Sequence, residues 1–179
     1  MLYVAASVMT APDQSSAVRA LLARSYQRII GGPMPEIVIS TGGKPDWRDG
    51  PWHFSLCHTR GAVLCAISDA PVGLDAERIR PVRAEVVSRV LAPQELRQYD
   101  GSAETFLRFW TLKEAYAKYT GEGIIGYPNR FVFRLTPESA EMEGNDLRFA
   151  TVRSGDYIVS VCTPKPETLT VMWERAMPD

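Results

Sequence analysis

The chain has 179 residues, 45% of them hydrophobic and 23% charged, with 20 Lys and Arg against 21 Asp and Glu for a formal net charge of −1. This make-up is that of a globular protein long enough to bury a core unaided, and it excludes collagen-like, disordered and disulfide-scaffold classes. No apolar run approaches the ~18 residues of a membrane span, and no Lys or Arg precedes Arg19 as a signal peptide would require. The expectation is a cytoplasmic protein with neither a membrane nor a nucleic acid as partner.

Residues 2–9 read as a strand, and residues 11–16, with Pro12, Asp13 and two serines, as a turn or helix start. In the helix that follows, Val18, Leu21, Leu22 and Ile29 share a stripe, and Gly31, Gly32, Pro33 and Pro35 stop it. Residues 36–41 read as a strand, residues 42–45 as a turn, and the stretch to Pro51 as a loop. Residues 53–57 and Ala62–Ser68 are strands across a Thr59-Arg60-Gly61 turn, and residues 72–77 form a third strand. Residues 85–91 and 93–99 read as short helices, the second opened by Pro93. Ala103–Thr120 is the best-defined helix, ended by Gly121. Residues 129–135, 147–152, 157–162 and 169–173 read as strands. The fold class is α+β, with two small lobes over residues 1–71 and 72–179.

Charge is unevenly placed. Residues 19–134 carry 16 basic and 12 acidic side chains, whereas the chain from Pro137 carries 4 and 8, so the centre is the part suited to an anionic ligand. Cys57, Cys65 and Cys162 form no C-x-x-C pair, and reduced, buried thiols are the first reading. A zinc site from His53, Cys57, His58 and Cys65 is the lesser alternative, because its spacing matches no established zinc pattern.

Three segments carry chemistry. In residues 72–77, strand alternation projects Asp75 and Glu77 from one face, giving either a Mg²⁺ site of oxygen ligands or a solvated strand end paired with Arg78 and Arg80. On the long helix, Phe109, Leu112, Tyr116 and Tyr119 form an apolar stripe, with Phe106, Trp110 and Ala117 on its flank. Lys113 falls inside that arc, where it must snorkel or meet an anion. Glu114 and Lys118 sit one turn apart at its edge, as an active-site wall or an i,i+4 pair. Around residues 54–61, a hydroxyl, an imidazole, Arg60 and backbone N–H groups suit a phosphate or an ordinary hairpin.

Taken in order, Gly43-Lys44-Pro45, Phe54-Ser55-Leu56-Cys57-His58-Thr59, Val72-Gly73-Leu74-Asp75-Ala76-Glu77 and the run from Phe109 to Lys118 with Gly121 and Gly123 closely resemble one family. It is the 4′-phosphopantetheinyl transferases of the surfactin-synthetase-activator class (group II). The resemblance covers about residues 17–135, and its paired signature, G-x-D-x-E and then W-[ST]-x-K-E-[AS]-x-x-K, is far more specific than any fragment.

The resemblance implies a monomer of two pseudo-equivalent lobes, each a short antiparallel sheet packed with helices, with the ligand site at their interface. The first lobe would bind coenzyme A and the second would hold the metal and the catalytic helix. The implied reaction moves phosphopantetheine from coenzyme A to a serine of an apo acyl or peptidyl carrier protein, releasing adenosine 3′,5′-bisphosphate. Asp75, Glu77 and Glu114 would hold Mg²⁺, with Mn²⁺ as an alternative. Glu114, or a metal-bound water that it orients, would take the serine proton. Lys118 would supply positive charge at the phosphates, and Lys113 would join it or orient a carboxylate. Arg19, Lys44, Pro45, His58 and Thr59 would contact the coenzyme, His58 at its 3′-phosphate.

Several positions depart from the family pattern. The usual S-H-S is Cys57-His58-Thr59, which predicts weaker coenzyme binding because a thiol is a poor phosphate donor. Ala76 stands for the usual isoleucine, and the basic residues that members commonly carry between the first strand and the Arg19 helix are missing. The acidic carrier would meet Arg78, Arg80, Arg83 and Arg89, with Val86, Val87 and Leu91 as apolar contacts. A non-catalytic relative that binds coenzyme A or a carrier, and a metal-dependent phosphohydrolase, are the alternative functions.

Overall fold

Alternating and apolar runs at the start of the chain build a helix-covered sheet. In the computed structural model, which describes residues 1–9, 13–39, 43–124, 128–165 and 168–174, β1 (Leu2–Val8) leads to α1 (Gln14–Ile29). The Asp13 carboxylate caps α1 by accepting the Ser16 N–H at 3.1 Å, satisfying a donor that every helix start leaves open. Residues 11 and 12 of the expected turn and residues 40–42 after the next strand lie outside the described residues.

β2 (Ile37–Ile39) and β3 (Pro45–Trp47) form a separate two-stranded ribbon. β3 occupies a stretch expected as loop, since three residues opened by a proline are too few for alternation to show. β4 (His53–Thr59) and β5 (Ala62–Ser68) pair from end to end, with Thr59 opposite Ala62. The turn is therefore only Arg60-Gly61, and its second residue takes a positive φ of 82°, a backbone that Gly61 adopts without steric cost. The first sheet has the order β11-β1-β5-β4, in which β11 (Val171–Glu174) returns from the far end of the sequence to lie parallel to β1.

β6 (Gly73–Arg78) follows β5 in sequence but does not pair with it. It is instead the edge of a five-stranded sheet, β6-β10-β9-β8-β7, built with β7 (Phe133–Leu135), β8 (Ser139–Met142), β9 (Arg148–Ser154) and β10 (Tyr157–Thr163). β8 was not legible in the sequence because only Ala140 of its four residues is buried. Three helices precede these strands: α2 (Ala84–Val90), α3 (Pro93–Leu96), shorter than expected, and α4 (Ala103–Thr120), which has the expected bounds. Ser102 caps α4 by accepting the Thr105 N–H at 3.0 Å, and Gly121 closes it in the left-handed region.

Three apolar clusters stack these elements as helix, sheet, sheet, helix. α1 lays Val18, Leu21, Leu22 and Tyr26 on Val63, Cys65 and Ile67. Val4, Leu64 and Ala66 of the first sheet meet Leu74, Val159 and Val161 of the second. α4 lays Phe106, Phe109 and Leu112 on the second sheet's far face, against Phe149, Ile158 and Cys162. β5 and β10, buried along their whole length, are the central strands this layering demands. Gly73 makes the α4–β6 contact possible, because a Cβ there would lie 2.0 Å from the Ala115 carbonyl oxygen. Among the described residues no helix is long and apolar enough to cross a membrane.

Candidate active site

Where the edges of β4 and β6 meet, the two outer helices reach the same opening. A cleft of about 570 Å³ lies there, lined by Arg19 of α1, Lys44 and Pro45 at the start of β3, Leu56 and His58 of β4, and Glu114 and Lys118 of α4, among others. Gly121 and Gly123 are also in its wall, so residues 43–45, the β4 block and the α4 block converge here, while Asp75 and Glu77 of β6 do not line the cleft and Asp75 reaches it only through Lys118. Arg19 and His58 are exposed at the cleft, where each can meet a ligand without first being desolvated.

Lys118 is the centre of the polar network. Its Nζ donates to Asp75 Oδ1 at 2.8 Å and to the Leu56 carbonyl at 3.3 Å, joining α4 to both β6 and β4. Burial alone would lower its pKa, but Asp75, Cys57 and Glu114 reverse this and hold the ammonium charged well above the ordinary lysine range. Glu114, one helical turn earlier on the cleft wall, is half-buried. Burial first, and then the charges of Asp75 and Glu77 against the pull of Lys118, raise its pKa to about 7. Glu77 is likewise raised, by burial and by Asp75, although it accepts the Thr59 hydroxyl at 2.9 Å.

With Asp75 and Glu77 both raising Glu114, and Asp75 also raising Glu77, the site is short of positive charge. Among the described residues no group of three or more His, Cys, Asp or Glu side chains is closed around a single point ready for a metal, and Asp75 takes Lys118 as its counter-charge. The donor set nevertheless fits a hard divalent cation, being all oxygen and mutually repulsive in the way such a cation relieves. It does not fit zinc. Cys57 turns toward β6 and Cys65 lies behind the sheet against Ser25, 3.7 Å from its hydroxyl, so the His53, Cys57, His58 and Cys65 set does not converge.

Other expected site residues take different work. Lys113, expected among the catalytic groups, does not line the cleft: it is 0% exposed, donates to Glu95 Oε2 at 2.8 Å and to the Phe131 carbonyl, and satisfies the buried-anion alternative instead. Burial lowers its pKa and Glu95 opposes the shift. Glu95, which the sequence reading passed over, also accepts the Ala92 N–H at 2.8 Å and the Phe133 N–H at 2.9 Å, tying α3 and β7 to α4. A lone Glu within a short helix gave no signal of this, because its partners are distant in sequence. The Thr59 hydroxyl, expected at the coenzyme, is committed to Glu77, and Cys57 is buried away from the cleft. The loss of coenzyme affinity expected from a thiol at a phosphate therefore has no geometric basis. Lys44 lines the cleft yet donates to the Val72 carbonyl at 3.3 Å and the Tyr119 carbonyl at 3.5 Å, bracing β6 against the end of α4.

Comparison with known proteins extends this geometry. A family model described as the 4′-phosphopantetheinyl transferase superfamily matches residues 71–162. The chain is 31% identical over 157 residues to 4′-phosphopantetheinyl transferase psf-1 of Bacillus pumilus, an alignment covering 75% of this chain and 64% of that one. It is 30% identical over 126 residues to 4′-phosphopantetheinyl transferase Sfp of Bacillus subtilis (strain 168), covering 66% and 54%. It is 31% identical over 171 residues to 4′-phosphopantetheinyl transferase AcpT of Escherichia coli (strain K12), covering 87% and 78%. The chain thus spans between half and two thirds of the length of the two Bacillus relatives.

Proposed function

The chain belongs to the 4′-phosphopantetheinyl transferase superfamily, and on that premise we propose that it transfers 4′-phosphopantetheine from coenzyme A to a serine of an apo acyl or peptidyl carrier protein. The observation that carries this reading is the convergence of Glu114, Lys118, Lys44, His58 and Arg19 on one cleft between the two sheets' outer helices. Four basic groups suit a ligand with a pyrophosphate and a further phosphate, and Glu114 lies among them as a candidate base.

The division of labour follows from position. Arg19 and His58, exposed at the α1 and β4 side, bind and orient the coenzyme's phosphates. Lys44 holds the α4 terminus against β6, which fixes the cleft's width. Lys118, kept charged by Asp75, stabilises the negative charge that builds on the attacked phosphate. Glu114, with a pKa of about 7, is poised to accept the proton of the carrier serine near neutral pH. Asp75, Glu77 and Glu114 would hold Mg²⁺ or Mn²⁺, which supplies charge neutralisation at the phosphoryl oxygens and the leaving group.

The exposed Arg80 and Arg83 line a second hollow of about 360 Å³ that shares Glu77 with the carboxylate group and has Val86, Phe106, Leu107 and Trp110 along it. A basic rim over an apolar floor, beside the catalytic carboxylates, supports docking of the acidic carrier there. The working unit in this reading is a monomer. Three free, buried cysteines suit a reducing cytoplasm.

The test is intact-protein mass spectrometry of several apo carrier proteins incubated with this protein, coenzyme A and Mg²⁺. A gain of one phosphopantetheine mass, abolished by EDTA, is the expected result. Coenzyme A cleavage without carrier would point to a phosphohydrolase, and coenzyme binding with no transfer to any carrier to a non-catalytic relative.

A further inference from the structure

β4 and β6 lie side by side yet exchange no main-chain ladder, and every other side chain of β4 bridges the gap instead. Ser55 Oγ accepts the Leu74 N–H at 3.0 Å. Cys57 Sγ accepts the Ala76 N–H at 3.2 Å and turns its one S–H toward Asp75 Oδ1 at 3.4 Å, with the Ala76 carbonyl at 3.6 Å as the farther acceptor. Thr59 Oγ1 donates to Glu77 Oε2 at 2.9 Å. The three side chains point the same way because strand residues alternate, and all three are buried.

This ladder does two separate tasks. Its contacts to the Leu74 and Ala76 N–H groups satisfy donors on the edge of β6 that would otherwise be buried without partners. Its contacts to Asp75 and Glu77 fix the two carboxylates. A carboxylate side chain rotates freely about its torsions, and a donor fixed on one oxygen selects the rotamer. Asp75 Oδ1 receives both the Cys57 thiol and Lys118 Nζ, from opposite sides of the junction.

We propose that Cys57 and Thr59 are positioning residues: through Asp75 Oδ1 and Glu77 Oε2 they pre-orient the β6 carboxylates for the divalent cation, and they do not contact the coenzyme. The inference rests on the assignment of Asp75 and Glu77 as metal-holding groups. Outer-shell partners of this kind ordinarily govern metal affinity by about 10- to 100-fold. Thr59→Val removes the donor and keeps the shape, and Thr59→Ser restores the donor. Cys57→Ala removes the second donor, and Cys57→Ser restores it.

Mn²⁺ titrated into the full-length protein in the presence of coenzyme A, followed by electron paramagnetic resonance, reads the effect without relying on turnover. Thr59→Val and Cys57→Ala are each expected to weaken Mn²⁺ binding about 10- to 100-fold, with Thr59→Ser and Cys57→Ser close to the parent. Ile67→Ala, on the α1 face of the same sheet, serves as a control for lost stability and is expected to lower Tm with Mn²⁺ affinity unchanged. Parent-like Mn²⁺ affinity in both Thr59→Val and Cys57→Ala, with Tm lowered as in the control, overturns the positioning role and leaves the ladder purely structural. Failure of the parent protein itself to bind Mn²⁺ overturns the carboxylate assignment and this inference with it, and the mass-spectrometric assay separates the two cases.

Discussion

Helix α4 carries two lysine–carboxylate pairs of the same length, five residues apart, and they do opposite work. Lys113 and Glu95 meet at 2.8 Å with both side chains 0% exposed, and backbone completes the network: Glu95 also accepts the Ala92 and Phe133 N–H groups, and Lys113 also donates to the Phe131 carbonyl. Lys118 and Asp75 also meet at 2.8 Å, but at 32% and 9% exposure and beside two further carboxylates with raised pKa values. Distance does not separate a structural ion pair from a functional one. What separates them is surplus: the first network is closed, whereas the second has unbalanced negative charge and an open side toward the cleft.

The comparison breaks most visibly in turnover. Asp75→Ala or Glu114→Ala should lower phosphopantetheine transfer by about 10²- to 10⁴-fold, the scale of a lost acid–base group, with the circular dichroism spectrum unchanged. Near-parent transfer by either variant would remove the site from this end of the helix. At the other end the expected loss is in stability. Lys113→Met, which strands Glu95 as a buried unpaired charge, should cost about 3–5 kcal/mol in urea denaturation, while the protein that remains folded still transfers. Lys118→Met should cost about 1 kcal/mol or less, as partly exposed pairs do, and should lose transfer. An inverted result, with Lys113 silent in stability and Lys118 dominant, would refute the contrast.

Smaller effects sharpen it. His58→Ala should raise the KM for coenzyme A about tenfold, the worth of one hydrogen bond to an anion, with kcat nearly unchanged because the contact is made equally in ground and transition states. A change confined to kcat would bring His58 into the chemical step. The last difference is one of pH. Because the folded Glu114 pKa of about 7 lies above its ordinary 4.5, the native protein holds an extra proton between those values, so metal-free stability falls as pH rises through that window. Urea midpoints at pH 5.5 and 7.5 should show this fall, and Mg²⁺ should abolish it while releasing protons in calorimetry. A flat profile with and without Mg²⁺ would leave Glu114 an ordinary carboxyl.

Much of this architecture was legible in the residues. The 3.6-residue apolar stripe through Phe109, Leu112 and Tyr116, with Gly121 after it, bounds α4 correctly because helix periodicity and caps are local. The alternation that sends Asp75 and Glu77 to one face is equally local. The lysine inside the apolar stripe had to snorkel or meet an anion, and it meets one, but nothing near it in sequence said that the anion is Glu95. β3 and β8 were missed because each is too short to show a period, and only their pairing partners make them strands.

By itself, then, the sequence determined the longer helices and strands and which face of each is apolar, consequences of interactions within a few residues. The tertiary structure alone decided that β6 leaves its hairpin neighbours to edge a second sheet, that β11 returns to the first, and that Ser55, Cys57 and Thr59 face β6 across a junction without main-chain pairing. It also decided which of two lysines on one helix is closed off and which stands open to the cleft. Those outcomes depend on partners far apart along the chain, whose choice is set by how the sheets stack and share a core rather than by any local preference.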